Sequence, residues 1–191
     1  MKVVIAGPRA LSTIDDNVKK RLNSIIEKKI VVLLGDANGI DKTVQAFLSS
    51  NSYEDVIIYA TKGKARNNIG DWLIKNVEVD EKLKGFNFYV AKDLKMVEDA
   101  DYGFMVWNGK SKGTLNNIIN LTKQNKKVLL YYTPHEKFYT ISTLAMAEKL
   151  AIKCGEETKK VFYELVSSTN TVAKAEQLTI FDNKQKNKEV S

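Results

Sequence analysis

The sequence predicts an α/β fold, a doubly wound and mainly parallel sheet of five strands flanked by helices, with extra helices at its carboxyl end. Three observations carry that prediction. Short apolar runs alternate with stretches whose apolar residues recur at helical spacing, the order that parallel strands joined by crossover helices require. One run, Ile30–Leu34, is apolar at every position, as befits a strand covered on both faces. Glycine-bearing turns follow three of the runs, at Gly7-Pro8-Arg9, Gly35–Asp41 and Gly109–Asn117.

The first strand is Lys2–Ala6, ended by Gly7-Pro8. Asp15–Lys28 then places Val18, Leu22, Ile25 and Ile26 at helical spacing, with Asp15 and Asp16 at the start, where carboxylates satisfy helix amides. Ile30–Leu34 is the second strand, and the helix opening after Gly39 carries Val44, Phe47 and Leu48 inward. Asp55–Ala60 is the third strand. Thr61–Asp71 is polar and irregular, the composition of a functional loop. Phe86–Val90 reads as a short strand, Asp93–Ala100 as a helix, and Tyr102–Trp107 as the fourth buried strand, with Tyr102, Phe104, Met105 and Trp107 in the core. Thr114–Gln124 is a helix with Leu115, Ile118, Ile119 and Leu121 inward, and Val128–Tyr132 is the fifth strand. After the break at Pro134, Ile141–Lys153 and Glu156–Val166 read as closing helices. Beyond Ser167 the composition turns to Ser, Thr, Asn, Lys and Gln, which divides the chain into a domain over 1–168 and a flexible tail over 169–191.

With 191 residues, 43% hydrophobic and 28% charged, the chain suits one globular domain with a real core. No apolar stretch approaches a membrane span, and the first strand begins at once, so a soluble, cytoplasmic protein is expected. A single cysteine, Cys154, excludes an internal disulfide and a Cys-rich zinc site, and a single histidine, His135, excludes His-based clusters. No metal and no cofactor are expected, and any metal would have to rest on carboxylates. The net charge of +7 is compatible with a nucleic-acid partner. Its cations are scattered in twos and threes across predicted helix faces, as in Lys19-Lys20-Arg21 and Lys126-Lys127, which is the pattern of a solvated surface.

The turns are where chemistry is expected. A helix start leaves backbone N–H groups unpaired and carries the positive end of the helix dipole, and glycine lets the main chain approach an anion closely. In an open α/β sheet such junctions gather at the carboxyl ends of the strands, where ligands bind. Ser111, Gly113 and Thr114 offer amides and hydroxyls at one helix start, and Lys110 and Lys112 add positive charge. Arg9 and Arg66 lie in loops beside strand ends, where a guanidinium fork suits phosphate. Asn67 and Asn68 suit turns, and Trp72 suits either the core or a base-stacking platform. The Gly-x-x-x-x-Gly-Lys-Ser/Thr loop of ATPases is absent, as is Gly-x-Gly-x-x-Gly after the first strand, which argues against ATPase and dehydrogenase chemistry.

In order and spacing, Gly7-Pro8-Arg9, Gly35-Asp36-Ala37-Asn38-Gly39-Ile40-Asp41, Lys92-Asp93-x-x-Met96 leading to Ala100-Asp101, and Trp107-Asn108-Gly109-Lys110-Ser111-Lys112-Gly113-Thr114 resemble the signatures of the SLOG superfamily. This Rossmann-like group includes the DNA-processing protein A fold and the LOG-type phosphoribohydrolases. Arg66-Asn67-Asn68-Ile69-Gly70-Asp71-Trp72 is similar to a subgroup within it. The resemblance implies a nucleotide or nucleotide-derived ligand across the strand ends, with the chain as its sensor or carrier. Gly7, Pro8 and Arg9 would line one side, Gly35, Asp36, Gly39 and Asp41 would form a second turn, and Gly109, Gly113 and Thr114 would hold the phosphate. Arg66, Asn67 and Asp93 would complete the contacts.

The LOG-type hydrolases follow the last turn with a glutamate that takes part in N-glycosidic cleavage, whereas here Asn116 and Asn117 stand there. An amide cannot take up and release a proton as a carboxylate does. Hydrolysis of a nucleoside monophosphate would need another acid from Asp36, Asp41, Asp93 or Asp101, with Asp36 and Asp41 as the catalytic candidates, although Asp41 equally suits a structural place at its helix start. In the tail, Gln177-Leu178-Thr179-Ile180-Phe181 resembles the bacterial sliding-clamp binding peptide, with Gln177, Leu178, Ile180 and Phe181 as its anchors. That implies a third role, a DNA-metabolism accessory in a bacterial or phage setting. A homodimer is implied by the resemblance alone.

Overall fold

Along the first strand, Val3 and Ile5 point to one face of the sheet while Val4 and Ala6 point to the other, and both sets are buried. This period-two burial on both sides is what a central parallel strand with helices above and below must show. The computed structural model describes residues 1–80 and 82–168. Its strands are β1 (Lys2–Ala6), β2 (Val31–Gly35), β3 (Val56–Thr61), β4 (Leu73–Val77), β5 (Tyr102–Trp107), β6 (Val128–Tyr132) and β7 (Lys137–Ile141). They form one seven-stranded sheet in the order β4-β3-β2-β1-β5-β6-β7. All neighbours pair in parallel except β6 and β7, which are antiparallel.

The helices are α1 (Asp16–Glu27), α2 (Ile40–Ser50), α3 (Phe86–Asp99), α4 (Lys112–Lys123), α5 (Leu144–Lys153) and α6, residues 156–168. Val18, Leu22 and Ile25 of α1 and Ile40, Val44 and Leu48 of α2 cover the face that carries Val3 and Ile5. Met96 and Val97 of α3, Leu115 and Ile118 of α4, Ala147 of α5 and Phe162 of α6 cover the other. Each of these side chains larger than alanine contributes about 1.5–3 kcal/mol when taken fully out of water. At the start of α1, Asp15 accepts from the Val18 N–H at 3.0 Å, the cap its position in the sequence predicts, and its other oxygen accepts from the Tyr131 hydroxyl.

From β1 the chain winds outward through β2, β3 and β4, then returns to the opposite side of β1 as β5. The strand order therefore reverses between β1 and β5, and in a doubly wound sheet the loops leaving two such strands part and open a crevice.

The five expected strands are all present, and the sheet has two more, one at each edge. β4 and β7 escape the sequence pattern because neither is buried on both faces. Each exposes four of its five residues, so neither shows the apolar run that marks the others. The closing helix expected from Ile141 begins only at Leu144, where Thr143 caps it by accepting from the Met146 N–H at 3.2 Å, and Ile141 itself pairs with Val128. The expected Phe86–Val90 strand is instead the first half of α3. Phe86, Phe88 and Val90 alternate with polar neighbours, but Lys92, Met96 and Val97 further along are buried at helical spacing, and one helix accounts for the whole segment. The tail over 169–191, with Gln177, Leu178, Ile180 and Phe181, lies outside the described residues. No helix among the described residues is long and apolar enough to cross a membrane.

Candidate functional site

The crevice at the β1/β5 reversal is a cleft of about 630 Å³. Gly7, Pro8 and Arg9 reach it from the loop after β1, and Asp41 from the start of α2. Asp93 reaches it from α3, and Lys110, Ser111, Gly113 and Thr114 from the turn into α4. The structure thus brings nine of the residues singled out in the sequence to one hollow. Gly35, Gly39 and Gly109 do not line it but shape the turns around it. Gly39 has φ +79, and a Cβ there would stand 2.5 Å from the carbonyl oxygens of Pro8 and Arg9, so only glycine lets the second turn pack against the first. Asn67 also stays off the cleft. It donates to the Asp36 carbonyl at 2.8 Å and the Asn38 side chain at 3.2 Å, which ties the 62–72 loop to the turn after β2.

The α4 turn is built to leave amides open. Asn108 accepts from the N–H groups of Lys110 and Ser111 at 3.1 and 3.0 Å. Ser111 caps the helix, its hydroxyl accepting from the Thr114 N–H at 3.4 Å and from the Thr114 hydroxyl at 2.9 Å. The buried Trp107 indole donates to the Ser111 carbonyl at 3.1 Å and fixes the turn to the end of β5. The N–H groups of Lys112 and Gly113 are left with no acceptor among the described residues. Gly113 has no positive φ, and a Cβ added to it would meet nothing within 4 Å among the described residues. The fold itself therefore gives no reason for glycine at this point of the cleft wall. One turn on, Asn117 lines the same cleft while 98% buried, and its Oδ1 has no hydrogen-bond donor among the described residues. Of the two asparagines that replace the expected glutamate, Asn117 is the one that borders the cleft.

Asp36 lies beside the cleft rather than in it. Arg66 grips it in a fork, Nη2 to Oδ1 at 2.7 Å and Nε to Oδ2 at 2.9 Å, and the Arg66 N–H adds a third bond at 3.1 Å. Lys92, its side chain 5% exposed, donates to Oδ1 at 2.7 Å. Burial alone would raise the Asp36 carboxyl, but the Arg66 bonds and the Lys92 charge outweigh it and hold the group well below the usual carboxylate range. Such a carboxylate donates no proton near neutral pH. Arg66, read from the sequence as a phosphate contact, has its fork already occupied by Asp36. Arg9 is in no ion pair among the described residues, and its guanidinium carbon lies 4.3 Å from the centre of the Tyr89 ring.

Asp41 and Asp93 differ from Asp36 in electrostatic state. Burial lifts Asp41 to about 7, with Lys92 opposing and Asp93 and Asp36 adding to the rise. Burial lifts Asp93 to about 6, with Lys92, Arg9 and a hydrogen bond to Asn117 opposing. Two cleft carboxyls thus change protonation near neutral pH. Asp101, the fourth acid considered from the sequence, sits at the other end of the strands, beside the starts of β1 and β5, where it accepts from the Lys2 N–H at 2.7 Å.

Sequence reasoning missed three contributors. Lys92 is buried among carboxylates, Tyr89 carries Arg9, and Gln45 is fully buried on α2. The Gln45 amide donates to the Gly35 carbonyl at 2.9 Å and its oxygen accepts from the Ile69 N–H at 3.1 Å, clamping the 62–72 loop. A glutamine one residue from Val44 on the inward face of an amphipathic helix was the available signal. Trp72 belongs to the core, with its indole donating to the Tyr53 carbonyl at 2.9 Å.

No family model matches the chain, and no curated protein matches it. Among solved structures, DNA processing protein A from Helicobacter pylori aligns with a TM-score of 0.52 at 15% identity, over 88% of this chain and 81% of that one. That protein has a single-stranded DNA binding mode of its own. At this identity the likeness bears on the fold, and it supports a distant Rossmann-like relation.

Proposed function

We propose that the protein binds a nucleotide or nucleotide-derived ligand in the β1/β5 cleft, with a phosphate on the open start of α4, and serves as a sensor or carrier of it. The observation that carries the reading is the pairing of unclaimed amides at Lys112 and Gly113 with a glycine the fold does not require, beside a buried and unpartnered Asn117 oxygen. Unpaired helix-start amides attract an anion, and Arg9, Lys110 and Lys112 supply charge at the same mouth. The Asn117 oxygen accepts but cannot donate, which suits an N–H or O–H on the ligand. The ionised state of Asp36 removes it as an acid. Turnover, if the ligand is cleaved, falls to Asp41 or Asp93.

Gly113→Ala tests the reading directly. Alanine relieves the helix of a glycine and should stabilise the fold by about 0.5–1 kcal/mol, while its methyl group intrudes where a phosphate would rest. Mass spectrometry of the copurifying small molecule identifies the ligand, and calorimetry with it should show Gly113→Ala weakened, and Arg9→Ala weakened by about 1–3 kcal/mol. Unchanged affinity in both variants would remove the cleft as the site. Release of free base on incubation would convert the carrier into a nucleoside monophosphate hydrolase.

A further inference from the structure

Next to the cleft, and sharing Tyr89 and Lys92 with it as a common wall, lies a second hollow of about 400 Å³. It opens between the end of β3 and α3 and is lined by Lys62, Lys64, Arg66, Lys92, Asp36 and Phe88 among others. Its charge is unbalanced. Arg66 and Lys92 are engaged with Asp36, which leaves Lys62 and Lys64 as the cations of this hollow that no carboxylate offsets. Lys62 and Lys64 are exposed and belong to no ion pair among the described residues. Between the two hollows stands Tyr89, with the Arg9 guanidinium 4.3 Å and the Arg66 guanidinium 5.5 Å from its ring centre. Arg9 borders the first hollow and Arg66 the second. A ligand with one phosphate at α4 leaves Lys62 and Lys64 without a partner, and like charges gathered on a concave wall raise the local potential for an anion.

Resting on the cleft as the nucleotide site, we infer that the ligand is of the dinucleotide class. It carries two phosphate-bearing units joined across the Tyr89 ridge, one on the α4 turn and the other over Lys62 and Lys64. The ridge gives the linked sugar or base an aromatic edge to pack on, and the two cationic hollows read the distance between the anionic groups. A mononucleotide engages the first hollow only.

Calorimetry on the full chain, with ribonucleoside 5′-monophosphates and the matching 5′-phosphorylated dinucleotides, tests this. The best dinucleotide should bind at least about tenfold more tightly than its mononucleotide, the gain of one further charge-assisted contact. The Lys62→Ala/Lys64→Ala double variant should lose that gain while its mononucleotide affinity stays within about twofold, because both lysines are exposed and touch only the second hollow. Matching thermal unfolding of the variant and the parent chain checks that the fold is intact. Equal affinity for mono- and dinucleotide, or a double variant that weakens both alike, would overturn the dinucleotide assignment and leave the cleft reading standing. Failure of both ligand classes to bind would overturn the two together. Affinity that keeps rising with a single-stranded oligonucleotide longer than the two hollows would replace the dinucleotide with a nucleic-acid strand.

Discussion

Replacing Asp41 with asparagine should stabilise the protein, and increasingly so as the pH rises. Asp41 is 8% exposed at the start of α2, and burial lifts its carboxyl from 3.8 to about 7. A group raised in the folded state contributes its full stability below the unfolded value, and that contribution is lost as the pH climbs through the folded one. For Asp41 the window therefore runs from 3.8 to about 7. At about 1.4 kcal/mol per tenfold, the loss over the window is about 4 kcal/mol, of which about 3 falls between about pH 5 and about pH 8. Asparagine keeps the shape and never ionises, so Asp41→Asn escapes the loss. Urea unfolding of both proteins across that interval should show their difference widening by about 3 kcal/mol. Any change in the 3.4 Å contact with the Ala37 N–H adds a constant offset and leaves the slope untouched. A difference that stays flat or narrows with rising pH would refute the argument, because Asp41 would then not be ionising against its surroundings.

Lys92→Met removes the cation buried between Asp36, Asp41 and Asp93. Breaking a buried pair of this kind costs about 3–5 kcal/mol, and the loss should be smaller at acid pH, where Asp41 and Asp93 are protonated and need no counter-charge; the same unfolding series reads it. The peptide Gln177–Phe181 makes an independent prediction. On the proposal that this segment is a clamp-binding peptide, the full chain should bind a bacterial sliding clamp in a surface-immobilised assay and Phe181→Ala should abolish that binding, whereas no binding by the parent chain or undiminished binding by the variant would end the clamp reading.

The central sheet was legible because its strands are buried on both faces, and a segment such as Val31–Gly35, short, β-branched at its start and ended by glycine, has the pattern of such a strand. The edge strands were not, since Leu73 and Phe138 lie at the surface of β4 and β7 and a half-solvated strand leaves no continuous apolar run. The first half of α3 misled because alternating Phe86, Phe88 and Val90 carry a strand's period over a span too short to show a helix's. In the cleft, the glycine turns and their convergence followed from local chemistry alone, because a helix start after a parallel strand has one place to be. What the residues do to one another did not follow. Arg66 and Asp36 are far apart in sequence and are joined only when the 62–72 loop folds back over β2, so nothing local distinguishes an arginine waiting for phosphate from one already paired.

That pairing also explains why the two hollows adjoin. Asp36 leaves β2, Lys92 belongs to α3 and Arg66 to the loop after β3, so one carboxylate fixes three separate elements at a single point. An apolar contact of similar size would often hold a fold as well or better, since taking three charges out of water is costly and their attraction only offsets it when every bond is made. What an apolar contact would not do is set direction. The bidentate fork orients the Arg66 guanidinium near Tyr89 and holds the loop carrying Lys62 and Lys64 beside the cleft. The same buried lysine then lies among Asp41 and Asp93, whose protonation it opposes, so the strength of the Asp36 pair and the charge of the cleft are linked through one side chain.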